Sequence, residues 1–320
     1  MSIAVSEEQR KDVMTIAACV GLGLIGSSWA VAFTRHAETV RVYDPSPEGR
    51  ETGLAYIDRA MVDLGKAGII ADPVAARMRI RLATRLEDAV ADADYVQESA
   101  TENRALKREL LAALDKATPA SAVIASSTSE IPPSEFMTGH KGSSRMLVAH
   151  PLNPPHLVPA VELCPSPETV PETIARAQNF MAACGQAPLV MTAERKGFVM
   201  NRLQIALVRE AWHLVAQGVC TPQDVDIAVR DGLAHRWSVI GPFETFQLTT
   251  RKGYAEMLKT YAETLANIAE DLDTSFPFDT AFGAKLDEAM QGPLSAEAYD
   301  AKAARRDAGL LKRLTLRKEA

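Results

Sequence analysis

Two ionisable residues stand where the hydrophobic pattern calls for buried strands. His150 ends the apolar run MLVAH, and Glu162 interrupts the next one, AVELC. Between them runs PLNPPHLVP, whose prolines Pro151, Pro154 and Pro155 stiffen the turn after the histidine. Histidine can take or give a proton near neutral pH, and an acidic partner on its second ring nitrogen fixes its tautomer. The pair could therefore transfer protons. It could also be a satisfied core histidine beside an edge carboxylate, and taken alone either residue reads more readily as structural. A second group of chemically suggestive residues is GLGLIG, with Gly21, Gly23 and Gly26 in GxGxxG spacing. Such a loop can bring backbone amides up to an anion, though the spacing by itself is weak.

The elements around these residues decide what the spacings mean. TIAACV (15–20), VRVYD (40–44), RIRLA (79–83), YVQE (95–98), AVIAS (122–126) and MLVAH (146–150) read as short strands. Helical patterns lie between most of them, including SSWAVAFTRH with serines able to cap it, two stretches at 48–65 and 71–78, and RALKRELLAALDKA. This alternation predicts a parallel sheet covered by helices on both faces. PETIARAQNFMAACG adds a helix, with proline and glutamate in its first turn and glycine at its stop, and PLVMT a last strand. Beyond Asn201 the pattern is helical throughout, with Thr221 and Pro222 opening one helix and long helices expected over 242–270. The expected architecture is α/β, a Rossmann-type doubly wound sheet followed by an all-helical C-terminal domain. The boundary is placed at ERKG, giving domains 1–195 and 196–320.

In that context the glycine loop gains meaning. It sits between a strand and a helix, and Asp44 closes the second strand. Gly21 permits a tight turn, Gly23 lets the backbone approach a pyrophosphate, and Gly26 allows close helix–strand packing. Leu24 and Ile25 belong to the same expected cofactor loop. Asp44 would accept from ribose hydroxyls and repel a 2′-phosphate, and no arginine follows it directly, so NAD is expected as cofactor. A nicotinamide enzyme that oxidises an alcohol needs a base for the hydroxyl proton, and within such an enzyme the balance for His150 and Glu162 turns toward catalysis.

Bulk properties exclude several classes. A chain of 320 residues, 47% hydrophobic and 24% charged, suits a soluble protein of two domains. Its net charge of −6 gives no reason to expect nucleic acid. No apolar run is long enough to span a membrane, and the first residues, MSIAVSEEQRKDVMT, lack the apolar centre of a signal peptide. Cys19, Cys164, Cys184 and Cys220 have neither CxxC nor zinc spacing. They read as small core residues in a reducing, cytoplasmic protein with no metal site. His36, His140 and His213 read as surface or helix-face residues, His156 as a loop residue, and Glu210 as a buried structural hydrogen-bonding group.

GLGLIG, QESATENRALK, SSTS, HPLNPP, VEL and GFVMNRL, in that order over nearly the whole chain, resemble the 3-hydroxyacyl-CoA dehydrogenase family. The resemblance implies an active site of Ser129, His150, Glu162 and Asn201. His150 would be the general base, oriented by Glu162, while Ser129 and Asn201 would hydrogen-bond the substrate oxygen. It further implies cofactor contacts from Glu102 and Lys107, and a homodimer. LAHRWSVIGPFET departs from the fatty-acyl-CoA branch and carries Arg236, which could pair with a free carboxylate or be a surface or interface arginine. The chain is most similar to the branch holding the gulonate dehydrogenases and lambda-crystallins, with the carnitine dehydrogenases a near relative. The expected substrate is therefore a short free 3-hydroxy acid, L-gulonate-like, bound between the domains. Carnitine, an acyl-CoA thioester, or a crystallin-like NADH-binding structural role are the alternatives.

Overall fold

The computed structural model describes residues 15–276 and 278–319. The amino-terminal stretch read above for a leader lies outside the described residues, apart from Thr15. Two compact units divide the chain. One runs to Asn201 and takes up the segment from Ala301 onward; the other spans Arg202–Asp300. The division between the units falls a few residues beyond the boundary expected at 195/196, and the segment from Ala301 groups with the first unit. The segment after 300 joins the first unit because Leu314, with Leu310 and Leu311 beside it, packs into that unit's apolar core.

The first unit is built on an eight-stranded sheet, ordered β3-β2-β1-β4-β5-β6-β7-β8. Its strands are β1 (Ile16–Val20), β2 (Thr39–Tyr43), β3 (Ile80–Leu82), β4 (Tyr95–Glu98), β5 (Val123–Ser126), β6 (Met146–Pro151), β7 (Ala160–Pro165) and β8 (Ala187–Val190). Strands β4, β5 and β6 are buried at every residue, as expected where helices cover both faces. The helices are α1 (Leu24–Phe33), α2 (Pro47–Lys66), α3 (Pro73–Met78), α4 (Leu86–Val90), α5 (Arg104–Ala117) and α6 (Pro171–Ala183). Ala17, Cys19, Trp29 and Phe33 belong to one core cluster, and Ala18, Val20, Leu111 and Leu114 to a second. The alternating β1 residues thus divide between them. Phe33 packs edge-on against Tyr95 and Phe180, so α1, β4 and α6 share one aromatic contact.

Two local expectations change. The serines expected to cap the first helix lie inside it: α1 starts at Leu24 with Gly23 as its cap, and Ser27 and Ser28 are fully buried. The sheet is not purely parallel either, because β6 and β7 pair antiparallel. Residues 152–159 reverse the chain there, through a cis peptide bond at Asn153–Pro154.

The second unit is helical. It contains most of α7 (Met200–Ala216), then α8 (Pro222–Ile227), a π-helical segment (Ala228–Leu233), α9 (Ala234–Trp237), α10 (Pro242–Gln247), α11 (Tyr254–Asp271) and α12 (Thr280–Ala289). The long helix α13 (Ala296–Glu319) leads back to the first unit. Thr221 and Asp224 form a reciprocal capping box at the start of α8, with Pro222 in the first turn as read from sequence. No described helix is long and apolar enough to cross a membrane.

Candidate active site

The glycine loop has the geometry its spacing implied. Gly21 has φ +93°, and a Cβ there would come within 2.7 Å of the Ser99 carbonyl oxygen. A Cβ on Gly26 would fall 1.8 Å from the Gly21 carbonyl oxygen, so only glycine lets α1 pack this closely. Gly23 is the opposite case: a Cβ there meets nothing within 4 Å. The loop is closed underneath and open above, at the start of a helix whose first amides favour an anion. Leu24 is exposed and Ile25 packs on the core. Asp44 accepts from the Leu22 amide at 2.8 Å and the Ser46 amide at 2.9 Å, which holds its carboxylate against the loop. Each oxygen keeps a lone pair for a ribose hydroxyl. These residues fit a dinucleotide.

His150 and Glu162 are directly opposed across the antiparallel β6–β7 pair, and His150 Nδ1 lies 2.7 Å from Glu162 Oε2. Both side chains are almost fully buried. The carboxylate can only accept, so Nδ1 carries a proton, and Nε2 is the ring nitrogen not engaged by Glu162. The other oxygen of Glu162 accepts from the Val199 amide at 2.7 Å and the Met200 amide at 2.8 Å. These amides lie at the start of α7, where a helix favours negative charge. Gly197 and Phe198 turn the chain there with φ +73° and +51°, and the Phe198 ring packs on His150 at 5.4 Å. One buried carboxylate thus orients the imidazole and anchors the helix that brings in Asn201.

The SSTS motif spends three hydroxyls on structure. Ser126 donates to Glu98, Ser127 pairs with Ser99 at 2.8 Å, and Thr128 donates to Glu102 at 2.5 Å. Ser129 is the exposed one; its hydroxyl lies 3.5 Å from Glu102, and its carbonyl accepts from Asn201 Nδ2 at 2.7 Å. Glu102 also accepts from the amides of Ser129 and Glu130. Partial burial pushes its carboxyl up, but the Thr128 hydroxyl, the Lys107 ammonium and the two amides outweigh this and hold it below the usual range. Ser129, Glu102 and Asn201 therefore form one connected group, with Glu162 fixing the helix that carries Asn201.

Lys107, expected at the cofactor from the resemblance, is buried behind Glu102. It is only 1% exposed, and its ammonium donates to both oxygens of Glu98 and to the Ala100 carbonyl, with Glu102 at 3.5 Å. Its ammonium donates within the protein and lies beside Glu102. Sequence reading missed Glu98, a fully buried carboxylate at the end of β4. The signal was present: a charged residue ending an otherwise apolar strand must find a cation, and Lys107 follows on the next helix.

His156 lies in the loop between β6 and β7, as expected, and is buried there. It is 5% exposed, with Nδ1 2.5 Å from the Ser28 hydroxyl and its carbonyl held by Arg35 at 2.6 Å. Burial, with help from Arg35 and Arg306, pushes its pKa down to about 3. Glu210 accepts from the Asp273 amide at 3.1 Å, a structural role at a half-buried position. Cys19, Cys164 and Cys184 are buried thiols and Cys220 is half-buried, all of them free. Among the described residues no cluster could hold a metal ion.

Arg236 lies in the second unit, on α9 immediately after the π-helical segment. Its side chain is exposed, and among the described residues no carboxylate pairs with it. Aromatic residues dispersed in the sequence also meet in this unit. Trp212, Phe276, Phe278 and Phe282 pack on one another with centroids 4.8 to 6.0 Å apart.

Comparison with known proteins agrees with this geometry. Residues 16–194 match the NAD-binding domain of 3-hydroxyacyl-CoA dehydrogenase, and residues 197–285 match its C-terminal domain. An L-carnitine dehydrogenase of Streptomyces coelicolor is 39% identical over 92% of both chains. A lambda-crystallin homolog of Bos taurus is 37% identical, covering 92% of this chain and 93% of its own. The solved structure of 5-formyl-3-hydroxy-2-methylpyridine 4-carboxylic acid 5-dehydrogenase, an NAD-dependent dismutase, superposes with a TM-score of 0.82 at 28% identity. It covers 94% of this chain and 98% of that one. The chain is an NAD-dependent oxidoreductase acting on a small-molecule substrate, and it belongs to the 3-hydroxyacyl-CoA dehydrogenase family.

Proposed function

We propose that the chain oxidises the 3-hydroxyl of a short free 3-hydroxy acid, L-gulonate-like, to the 3-keto acid. The observation that carries this reading is the His150–Glu162 pair in a dinucleotide-binding sheet. NAD bound at the glycine loop would supply the acceptor for the hydride of the carbinol carbon. His150 Nδ1 is committed to Glu162, so Nε2 is the nitrogen that takes the hydroxyl proton. Glu162 then offsets the charge on the imidazolium. The Ser129 hydroxyl and the second N–H of the Asn201 amide serve as donors to the substrate oxygen as its charge changes. Asp44, with Gly21, Gly23, Leu24, Ile25 and Gly26, holds the cofactor, and Glu102 completes its site with Lys107 behind it.

The free carboxylate is assigned to Arg236, whose planar guanidinium can hold it bidentately. Two relatives are named for substrates that carry such a group, carnitine and a pyridine carboxylic acid. The carnitine reading is the runner-up, favoured by the 39% identity to a carnitine dehydrogenase. A trimethylammonium needs several ring faces turned to one centre, whereas Trp212, Phe276, Phe278 and Phe282 meet edge-on or tilted in contact with one another. A crystallin-like protein that binds NADH without turnover would have no use for an oriented base. The proposal includes a cytoplasmic homodimer, for which exposed Val239, Phe243 and Leu248 offer apolar surface.

The test is appearance of NADH absorbance with NAD and, separately, L-gulonate, L-carnitine, L-3-hydroxybutyrate and L-3-hydroxybutyryl-CoA. Turnover of L-gulonate is the expected result. Preference for L-carnitine would select the runner-up, and turnover of the thioester alone would overturn the role of Arg236.

A further inference from the structure

A cavity of about 590 Å³ lies in the first unit at the carboxyl end of α1. The opposite end of that helix carries the glycine loop, so its ten residues separate cavity and loop by about 15 Å. The cavity is a separate place, and nothing in the oxidation chemistry uses it. Its walls are mostly apolar: Ile69 and Ile70 from the turn after α2, Ala75 and Ala76 from α3, and Leu314 from α13. Against them stand the polar groups Arg35, Arg79, Gln186 and Asp72.

The polar groups are unevenly satisfied. Arg35 donates to the His156 carbonyl at 2.6 Å, but its Nε is buried without a hydrogen-bond partner. Arg79 donates to the Thr34 carbonyl at 2.9 Å. Among the described residues neither guanidinium pairs with a carboxylate, since Asp72 turns Oδ1 to the Ala75 amide as the cap of α3. The partial negative charge at the end of α1 offsets only part of two full positive charges. Gln186 is 6% exposed, and its buried Oε1 also lacks a partner. Both orphaned atoms are shut off from solvent, so what the cavity offers a ligand is the positive charge of two guanidinium groups that no carboxylate among the described residues balances.

We propose that this cavity binds a small amphipathic monocarboxylic acid. Its carboxylate would lie between Arg35 and Arg79, and its aliphatic body against Ile69, Ile70 and Leu314. The volume falls in the range of small-molecule sites, and one charged end against an apolar wall is the usual makeup of an acid pocket. The guanidinium of Arg35 also holds the loop joining β6 to β7. A bound acid would therefore sit one hydrogen bond from the segment that links His150 to Glu162.

The experiment is calorimetric titration of the full chain, saturated with NADH, using octanoate as probe and inorganic phosphate as comparison. The expected result is octanoate binding in the millimolar range or tighter, with phosphate much weaker. Ala75→Trp, which fills the cavity from an exposed helix position, should weaken it by about tenfold or more, as should Arg79→Gln. Both variants should keep the parent melting temperature within a few degrees and the parent kcat and KM for the oxidised substrate. Arg236→Met should leave octanoate binding unchanged, which separates this site from the one proposed for the substrate. Absence of binding at millimolar octanoate, equal affinity for phosphate, or binding that survives both cavity substitutions would overturn the proposal.

Discussion

Glu162 occupies one ring nitrogen of His150, leaving the other for the proposed base role, and the same carboxylate caps the start of α7 through the Val199 and Met200 amides. The two jobs can be separated by substitution. His150→Gln removes the base and leaves the glycine loop intact. We expect kcat to fall by about 10²–10⁴-fold, the usual range for a general base, with NADH affinity unchanged in a fluorescence titration. Near-parent kcat in this variant would dismiss the histidine as base. Glu162→Ala should do more, lowering the melting temperature as well, since it leaves two helix amides without their acceptor. Arg236→Met tests the substrate end. Loss of a charged hydrogen-bonding partner is worth roughly 1.5–3 kcal/mol, so KM for the acid should rise about ten- to hundredfold. KM for NAD should stay constant; equal increases in both would make Arg236 structural.

At the scale of elements, the glycine loop offers a sharper contrast. Gly23→Ala places a methyl in open space, so the melting temperature should hold while NADH affinity falls at least tenfold. Gly26→Ala drives a methyl into the Gly21 carbonyl and should destabilise the fold itself. If both variants melt like the parent and bind NADH normally, the loop does not hold the cofactor. This loop was legible in sequence because all its parts are local: strand, glycines, helix and Asp44 lie within one strand–helix–strand unit. The alternation of strands and helices was legible for the same reason, since buried runs and helical periodicity are local patterns. The reversal at β6–β7 was not. Residues 152–159 are too long for a two-residue hairpin signal, so only the register itself opposes His150 to Glu162. Lys107 was placed at the cofactor by the resemblance alone, whereas the buried charge of Glu98 at the end of β4 was the sequence signal for its partner. The return of Leu314 to the first core was hidden by its distance along the chain from everything it touches.

Considered as a whole, the first unit is tied together by long-range polar contacts as well as by its core, and His156 is the clearest of them. It links the β6–β7 loop to α1 through Ser28 and Arg35, residues 128 and 121 positions away. The Ser28 hydroxyl accepts from the His156 backbone amide at 3.2 Å and pairs with the ring at Nδ1, so the imidazole is held inside the fold away from water. In the unfolded chain this imidazole takes up a proton near 6.5, whereas in the fold it does so only near 3. Between those values the unfolded state holds more protons, so the stability contributed by His156 is complete above pH 6.5 and declines as pH falls toward 3. The slope is about 1.4 kcal/mol per pH unit, and the whole window amounts to roughly 5 kcal/mol. Part of the fall below pH 5 will come from Glu102, whose carboxyl is held below its usual range and whose contribution is lost on protonation. Comparing the parent with His156→Asn isolates the histidine. Asparagine keeps a polar group near Ser28 but cannot titrate, so urea unfolding from pH 7 to 5 should show a steep decline in the parent and a shallower one in the variant. The variant starts less stable at pH 7 because the smaller side chain gives up packing against Tyr56, and the two curves should converge as the solution is acidified. Parallel curves would mean that His156 titrates alike in both states and that its burial contributes nothing to the acid sensitivity of the fold.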